Sequence, residues 1–161
     1  HPHTSLYSLF LFCPITTLVY LTDGLRSVEI SEHEVIFISY IFRKARASQE
    51  DFTFSARHSI YIQKAIENKK NKKRKGFKGY KLDEKKVELG DLVCYARQGG
   101  VGYDTTGTYN SHCDLVIAID GDNAIGVGGN VSNSVSETKI PLDENGFAKE
   151  GNRRFVVIKT K

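Results

Sequence analysis

Ser111-His-Cys-Asp-Leu-Val-Ile-Ala-Ile-Asp-Gly-Asp-Asn-Ala-Ile-Gly-Val-Gly-Gly129 is the stretch whose reading decides the fold. Residues 113–120 are an apolar, β-branched run that reads as a strong strand. Gly121-Asp122-Asn123 is hairpin-turn chemistry, residues 124–127 form a short return strand, and Gly128-Gly129 closes it. Working outward, residues 92–96 (LVCYA) form a strand after the turn pair Gly90-Asp91. Residues 131–140 alternate weakly, Asp143-Glu-Asn-Gly146 is a turn, and residues 154–160 (RFVVIKT) close the sheet. The loop 98–110, rich in Gly, Thr and Tyr, is placed to rim a cleft. Upstream the period changes. Ser31-Glu-His-Glu34 has capping-box spacing before an apolar run that ends in Arg43, Lys44 and Arg46, cations suited to a helix C-terminus. A buried helix over 32–46 follows from this. A second helix over 56–70, capped by Ser55, ends at Gly76. Helices first and an antiparallel meander after them make an α+β domain, with two N-terminal helices packed on an antiparallel sheet or small barrel.

The chain has 161 residues, 40% hydrophobic and 26% charged, which suits one globular domain and excludes a disordered chain or a multi-span membrane protein. It begins with His1 and contains no Met and no Trp. Residues 1–30 are therefore read as an uncertain segment, a truncated or out-of-frame start, and 31–161 as the single domain. Within that segment residues 6–22 are nearly uncharged but short and interrupted by Pro14, so no integral membrane span is expected; a signal-peptide apolar region and a buried strand both fit. Residues 64–86 hold 11 of the 23 Lys and Arg with three acids, a local charge of +8 on a body of −4. This is either a solvated helix end and loop, or a patch for an anionic polymer such as nucleic acid along Lys69 to Lys86, with Phe77 and Tyr80 as stacking groups. Three cysteines, Cys13, Cys94 and Cys113, are an odd number and make no disulfide framework. Cys94 and Cys113 lie in apolar runs and read as buried thiols.

His112 stands where a flexible loop meets a strong strand, a place suited to general-base work because imidazole titrates near neutral pH. Alternation puts His112 and Asp114 on one side of the strand and Cys113 on the other. Ser111, Tyr109 and Gly129 border the same region. Asn130, one hairpin later, is placed to accept the second N–H of the imidazole and orient it. The bland alternatives are a hydrogen-bonded structural histidine and an ordinary Gly-Gly-Asn turn. Cys94, His112, Cys113 and Asp114 are metal-ligand types without metal-site spacing, so neither a metal nor another cofactor is expected. There is no P-loop, dinucleotide fingerprint or G-x-S-x-G elbow.

Taken in order, Phe37-Ile-Ser-Tyr40, Arg43-Lys-Ala45, Phe54-Ser-Ala-Arg-His58, Tyr61-Ile62, Gly90-Asp-Leu-Val-Cys94, Arg97, Ser111-His-Cys-Asp114 and Gly129-Asn-Val-Ser132 resemble a bacterial domain-of-unknown-function family, number 2272, over about residues 35–158. That family in turn is similar to the NlpC/CHAP group of papain-like cell-wall hydrolases. The resemblance implies a papain-like fold, a peptidoglycan or other amide-linked substrate, a secreted or periplasmic setting, His112 as general base and Asn130 as its orienting partner. It also implies a nucleophile at the start of the first helix. Here that position holds Glu34, preceded by His33 with no Trp, and Glu is a poor acyl-transfer nucleophile. Three readings therefore stand together: an amidase- or peptidase-type hydrolase, a non-catalytic binding domain on the same fold, and an anionic-polymer binder.

Overall fold

The computed structural model describes residues 34–129 and 135–161. Helix α1 is Glu34–Lys44 and α2 is His58–Lys70. The strands are β1 (Lys78–Tyr80), β2 (Leu92–Ala96), β3 (Ser111–Asp120), β4 (Asn123–Gly129), β5 (Val135–Pro141) and β6 (Arg154–Lys159). They form one six-stranded sheet in the order β1-β6-β2-β3-β4-β5, and every neighbouring pair is antiparallel. The α+β expectation therefore holds. β2 through β5 are the meander; β6 returns to the free edge of β2 and carries β1 outside it. Ser31 of the capping box, residues 6–22 and Cys13 lie outside the described residues. No helix among the described residues is long and apolar enough to cross a membrane.

Alternation along the strands builds two cores, one on each side of the sheet. Leu92, Cys94, Ala96, Cys113, Leu115, Val127, Val156 and Ile158 pack with Phe37, Ile38, Ile41 and Phe42 of α1 and with Tyr61, Ile62, Ala65 and Ile66 of α2. Val93, Val116, Val157, Ala124 and Ile140 form the second core with Leu82, Val87, Leu142 and Ala148 from the connecting segments. Between them these residues leave β2 and β6 covered on both faces.

Two local expectations are corrected. Cys94 and Cys113 are not free thiols: the β2–β3 register sets them directly opposite, with Cα atoms 4.0 Å apart, and they form a disulfide. Ser55 does not cap α2. Arg57 is the N-cap residue, without a side-chain cap bond, and the Ser55 Oγ accepts from the Arg57 N–H at 3.0 Å instead. Ser39 is half-buried, and its hydroxyl donates to the Ser55 carbonyl at 2.9 Å and so ties α1 to the entry of α2.

The turn pair Gly90-Asp91 is structural. Gly90 takes φ +89°, which a side chain disfavours. The buried Asp91 carboxylate accepts from the Glu88 N–H at 2.8 Å and pairs with Lys159, joining the start of β2 to the end of β6. Burial raises the Asp91 pKa above the ordinary carboxylate value, against the pull of Lys159.

β1 is three residues long, and its glycine fixes how closely α2 approaches. A Cβ at Gly79 would stand 2.9 Å from Ile66 Cγ1, 3.1 Å from the Ile66 backbone nitrogen and 3.2 Å from Val156 Cγ2. Backbone cannot step aside as a flexible side chain can. Gly79→Ala is expected to lower unfolding stability by about 1–3 kcal/mol, as overpacking does. Urea denaturation monitored by circular dichroism checks this, and an unchanged midpoint would show that β1 and α2 are loosely apposed.

Candidate functional site

The site grows from the first residues of β3. His112 is 4% exposed and Asp114 3% exposed, two residues apart on the same side of the strand. His112 Nε2 lies 3.0 Å from Asp114 Oδ1, and Nδ1 lies 3.3 Å from an Arg97 guanidinium nitrogen. Guanidinium only donates, so Nδ1 carries the lone pair and Nε2–H donates to the carboxylate. Asp114 thus holds the imidazole by its Nε2–H; Asn130, expected to orient the ring, lies outside the described residues.

Two features of the neighbouring strands make room for this pair. Opposite it on β4, a Cβ at Gly128 would stand 2.3 Å from Asp114 Oδ1 and 2.4 Å from His112 Nε2. Only a residue without a side chain lets β4 close over the pair. On β2, Tyr95 is registered with His112, and the two rings sit 5.2 Å apart.

His58, the first residue of α2, brings a second imidazole to 5.1 Å from the ring of His112. Its Nδ1 meets the hydroxyl of Tyr61, one turn along the helix. Tyr61 is fully buried and its phenol has one hydrogen to give, so the phenol donates to Nδ1 and the His58 proton sits on Nε2. That Nε2 is buried and has no hydrogen-bond partner among the described residues, and the same holds for Ser111 Oγ. Burial, reinforced by His112 and Arg97, pushes the His58 pKa down to about 3. Burial and then the Asp114 charge raise that of Tyr61. Tyr61 and His58 are neutral at physiological pH.

A pocket of about 490 Å³ opens beside these groups, lined by Arg57 and His58 of the α2 entry, by Arg97 after β2, and by Tyr109 and Ser111 at the start of β3. The loop before β3 supplies part of its rim, through Thr108 and Asn110. The Tyr109 hydroxyl, next to Gln63, is pushed by burial up to about 12. A larger cavity of about 850 Å³ lies between Lys81–Asp83 and the 143–155 segment. None of the buried, unpaired polar atoms lines it, so the smaller pocket is the site with chemistry.

The remaining expectations divide. Ser111, Tyr109, His112 and Asp114 come together. Gly129 ends β4, paired with Val135. Glu34 is the first residue of α1, at the helix start where the nucleophile position was expected. Among the described residues no cluster of His, Cys, Asp or Glu is arranged to hold a metal ion.

The Lys-rich segment spends part of its charge internally. Lys69 bonds Glu84 at 2.8 Å, Lys70 bonds Asp104 at 2.9 Å and Lys75 bonds Glu50 at 3.3 Å. Phe77 is not a surface stacking group; it packs edge-on against Phe42 at 5.0 Å and tilted against Phe52 at 5.6 Å.

Compared with known families, residues 26–159 match the model described as "Uncharacterized protein conserved in bacteria (DUF2272)". The chain belongs to the DUF2272 family. No curated protein and no solved structure matches it. In this DUF2272 domain the residues that sequence reasoning gave no role are His58, Tyr61, Arg57 and Arg97. All four stood within the segments that carried the resemblance, but bringing His58 to His112 needs the approach of α2 to β3, and bringing Arg97 there needs the β2–β3 register, which no spacing reveals.

The DUF2272 domain holds His58 neutral, and this has a definite pH consequence. Below its ordinary value of 6.5 the unfolded chain takes up a proton that the folded ring refuses down to about 3. Stability is therefore lost as pH falls through this window and is unaffected above it, with a slope of up to about 1.4 kcal/mol per pH unit. Urea midpoints between pH 5 and 7.5 should fall on acidification, and less steeply in His58→Gln, whose amide still accepts from Tyr61. Equal slopes in the two proteins would contradict the buried neutral ring.

Proposed function

We propose that this chain is a papain-like, NlpC/CHAP-type hydrolase-fold domain that binds peptidoglycan, or another amide-linked peptide, in the cleft around His112 without cysteine-based turnover. The observation that carries the reading is the buried His112–Asp114 pair beside an open pocket. A polar pair of this kind is costly to bury unless its groups are satisfied, and here it is joined to a cavity that a ligand can enter. The pocket shares Ala56 with a second one of about 370 Å³ beside Ser39, Tyr40 and Phe54. Two adjoining pockets suit an elongated ligand such as a stem peptide.

The chemistry disfavours a thiol mechanism. The attacking species is a thiolate, and both sulfurs next to the site are tied to each other. Glu34 opens α1 in place of a cysteine or serine. The disulfide also agrees with a secreted or periplasmic setting, where such bonds persist.

One observation favours turnover instead. Asp114 holds the ring in the tautomer that leaves Nδ1 basic, the state a general base requires. Arg97 occupies that lone pair at 3.3 Å, so a substrate would have to displace the guanidinium before His112 acted.

Sedimentation with purified sacculi, combined with mass spectrometry of released muropeptides, separates the readings. The expected outcome is saturable retention on sacculi with no soluble product, weakened about tenfold or more in a folded His112→Ala variant. Absence of retention would overturn the binding reading. Muropeptide release abolished by His112→Ala would replace it with catalysis.

A further inference from the structure

The pocket beside His112 has a one-sided chemistry. Two guanidinium-bearing residues line its exposed part, Arg57 at the N-cap of α2 and Arg97 beyond β2. Two buried polar groups line its inner part, His58 at 5% exposure and Ser111 at 8%. Among the described residues neither Ser111 Oγ nor His58 Nε2 has a hydrogen-bond partner. With Tyr61 donating to Nδ1, the His58 Nε2 bears hydrogen and is a donor. A serine hydroxyl donates as readily as it accepts. Among the described residues no acidic one lines the pocket.

Buried polar groups in proteins are nearly always satisfied, and an exception asks for a ligand or a water. The group that satisfies donors from four directions is an oxyanion. Arginine in particular meets a planar carboxylate with two parallel hydrogen bonds. The first turn of α2, a helix of 13 residues, adds its own favourable field for negative charge.

We infer that this pocket is a subsite for the free carboxylate at the end of a peptide, gripped by Arg57 and Arg97 at the mouth and by His58 and Ser111 at the floor. The inference rests on the peptide-binding reading above and specifies which part of the ligand enters here. An inorganic or lipid phosphate shares the oxyanion chemistry, and the test tells the two apart.

Isothermal titration calorimetry on the full chain uses three probes: a D-alanyl-D-alanine dipeptide with free C-terminus, its C-terminal amide, and inorganic phosphate. The dipeptide acid is expected to bind, the amide to bind at least about tenfold more weakly, and phosphate more weakly than the acid. Arg57→Gln, at an exposed position, should weaken the acid about tenfold and leave the amide unchanged; Ser111→Ala should weaken the acid to a lesser extent. Equal binding of acid and amide, no binding of either, or tighter binding of phosphate than of the acid would overturn the subsite. Sacculus retention unaffected by Arg57→Gln would overturn the subsite and leave the cleft reading standing. Acid-selective binding without sacculus retention would do the reverse.

Discussion

The register between β2 and β3 is the constraint on which the site depends. Cys94 faces Cys113, Tyr95 faces His112 and Val93 faces Asp114. A slip of one residue would turn every side chain to the opposite face. It would move His112 and Asp114 onto the face where Cys113 and Leu115 now pack with the helices, and Cys113 and Leu115 onto the opposite one. The disulfide locks this register covalently, one residue from His112 on β3. The Asp91–Lys159 ion pair and the Thr160 hydroxyl, which donates to the Gly90 carbonyl at 2.8 Å, hold β2 to β6 on its other side.

From that register the rest of the site follows by packing. Gly128 lets β4 approach the His112–Asp114 pair, and the α2 entry brings His58 onto it. The result is a connected polar cluster inside an otherwise apolar interior. Tyr61 meets His58, the His58 ring stands 5.1 Å from that of His112, and His112 meets both Asp114 and Arg97; the tautomers follow from the Tyr61 and Arg97 donors. Such networks are stable only when their members are satisfied. His58 and Ser111, whose Nε2 and Oγ have no partner among the described residues, line the pocket, which is why it rather than the larger cavity carries the functional reading.

Much of this was legible in the residues. The β3–β4 hairpin is written in an apolar run, a Gly-Asp-Asn turn and a return strand. The shared side of His112 and Asp114 follows from a period of two. What was not legible is long-range. Counting three cysteines cannot show that two of them oppose each other across a ladder. β1 is three residues, Lys-Gly-Tyr, too short for any period, and exists because Gly79 admits α2 and β6 is there to pair. The orienting role went to Asn130 in the sequence because a neighbouring strand was expected to supply it. Asp114 on the same strand holds the Nε2–H, and Asn130 lies outside the described residues. Phe77 read as surface because it stands among lysines, yet its backbone leads from the end of α2 into β1 and turns the ring toward Phe42 and Phe52.

The central claim is how one imidazole is held: His112 with its Nε2–H on Asp114 and its Nδ1 lone pair facing Arg97. Nitrogen-15 NMR of histidine-labelled protein at neutral pH reads this directly. The account predicts a pyrrole-type shift for His112 Nε2 and a pyridine-type shift for Nδ1, with this preference weakened in Asp114→Ala. A proton on Nδ1 instead, or a tautomer indifferent to Asp114, would contradict it.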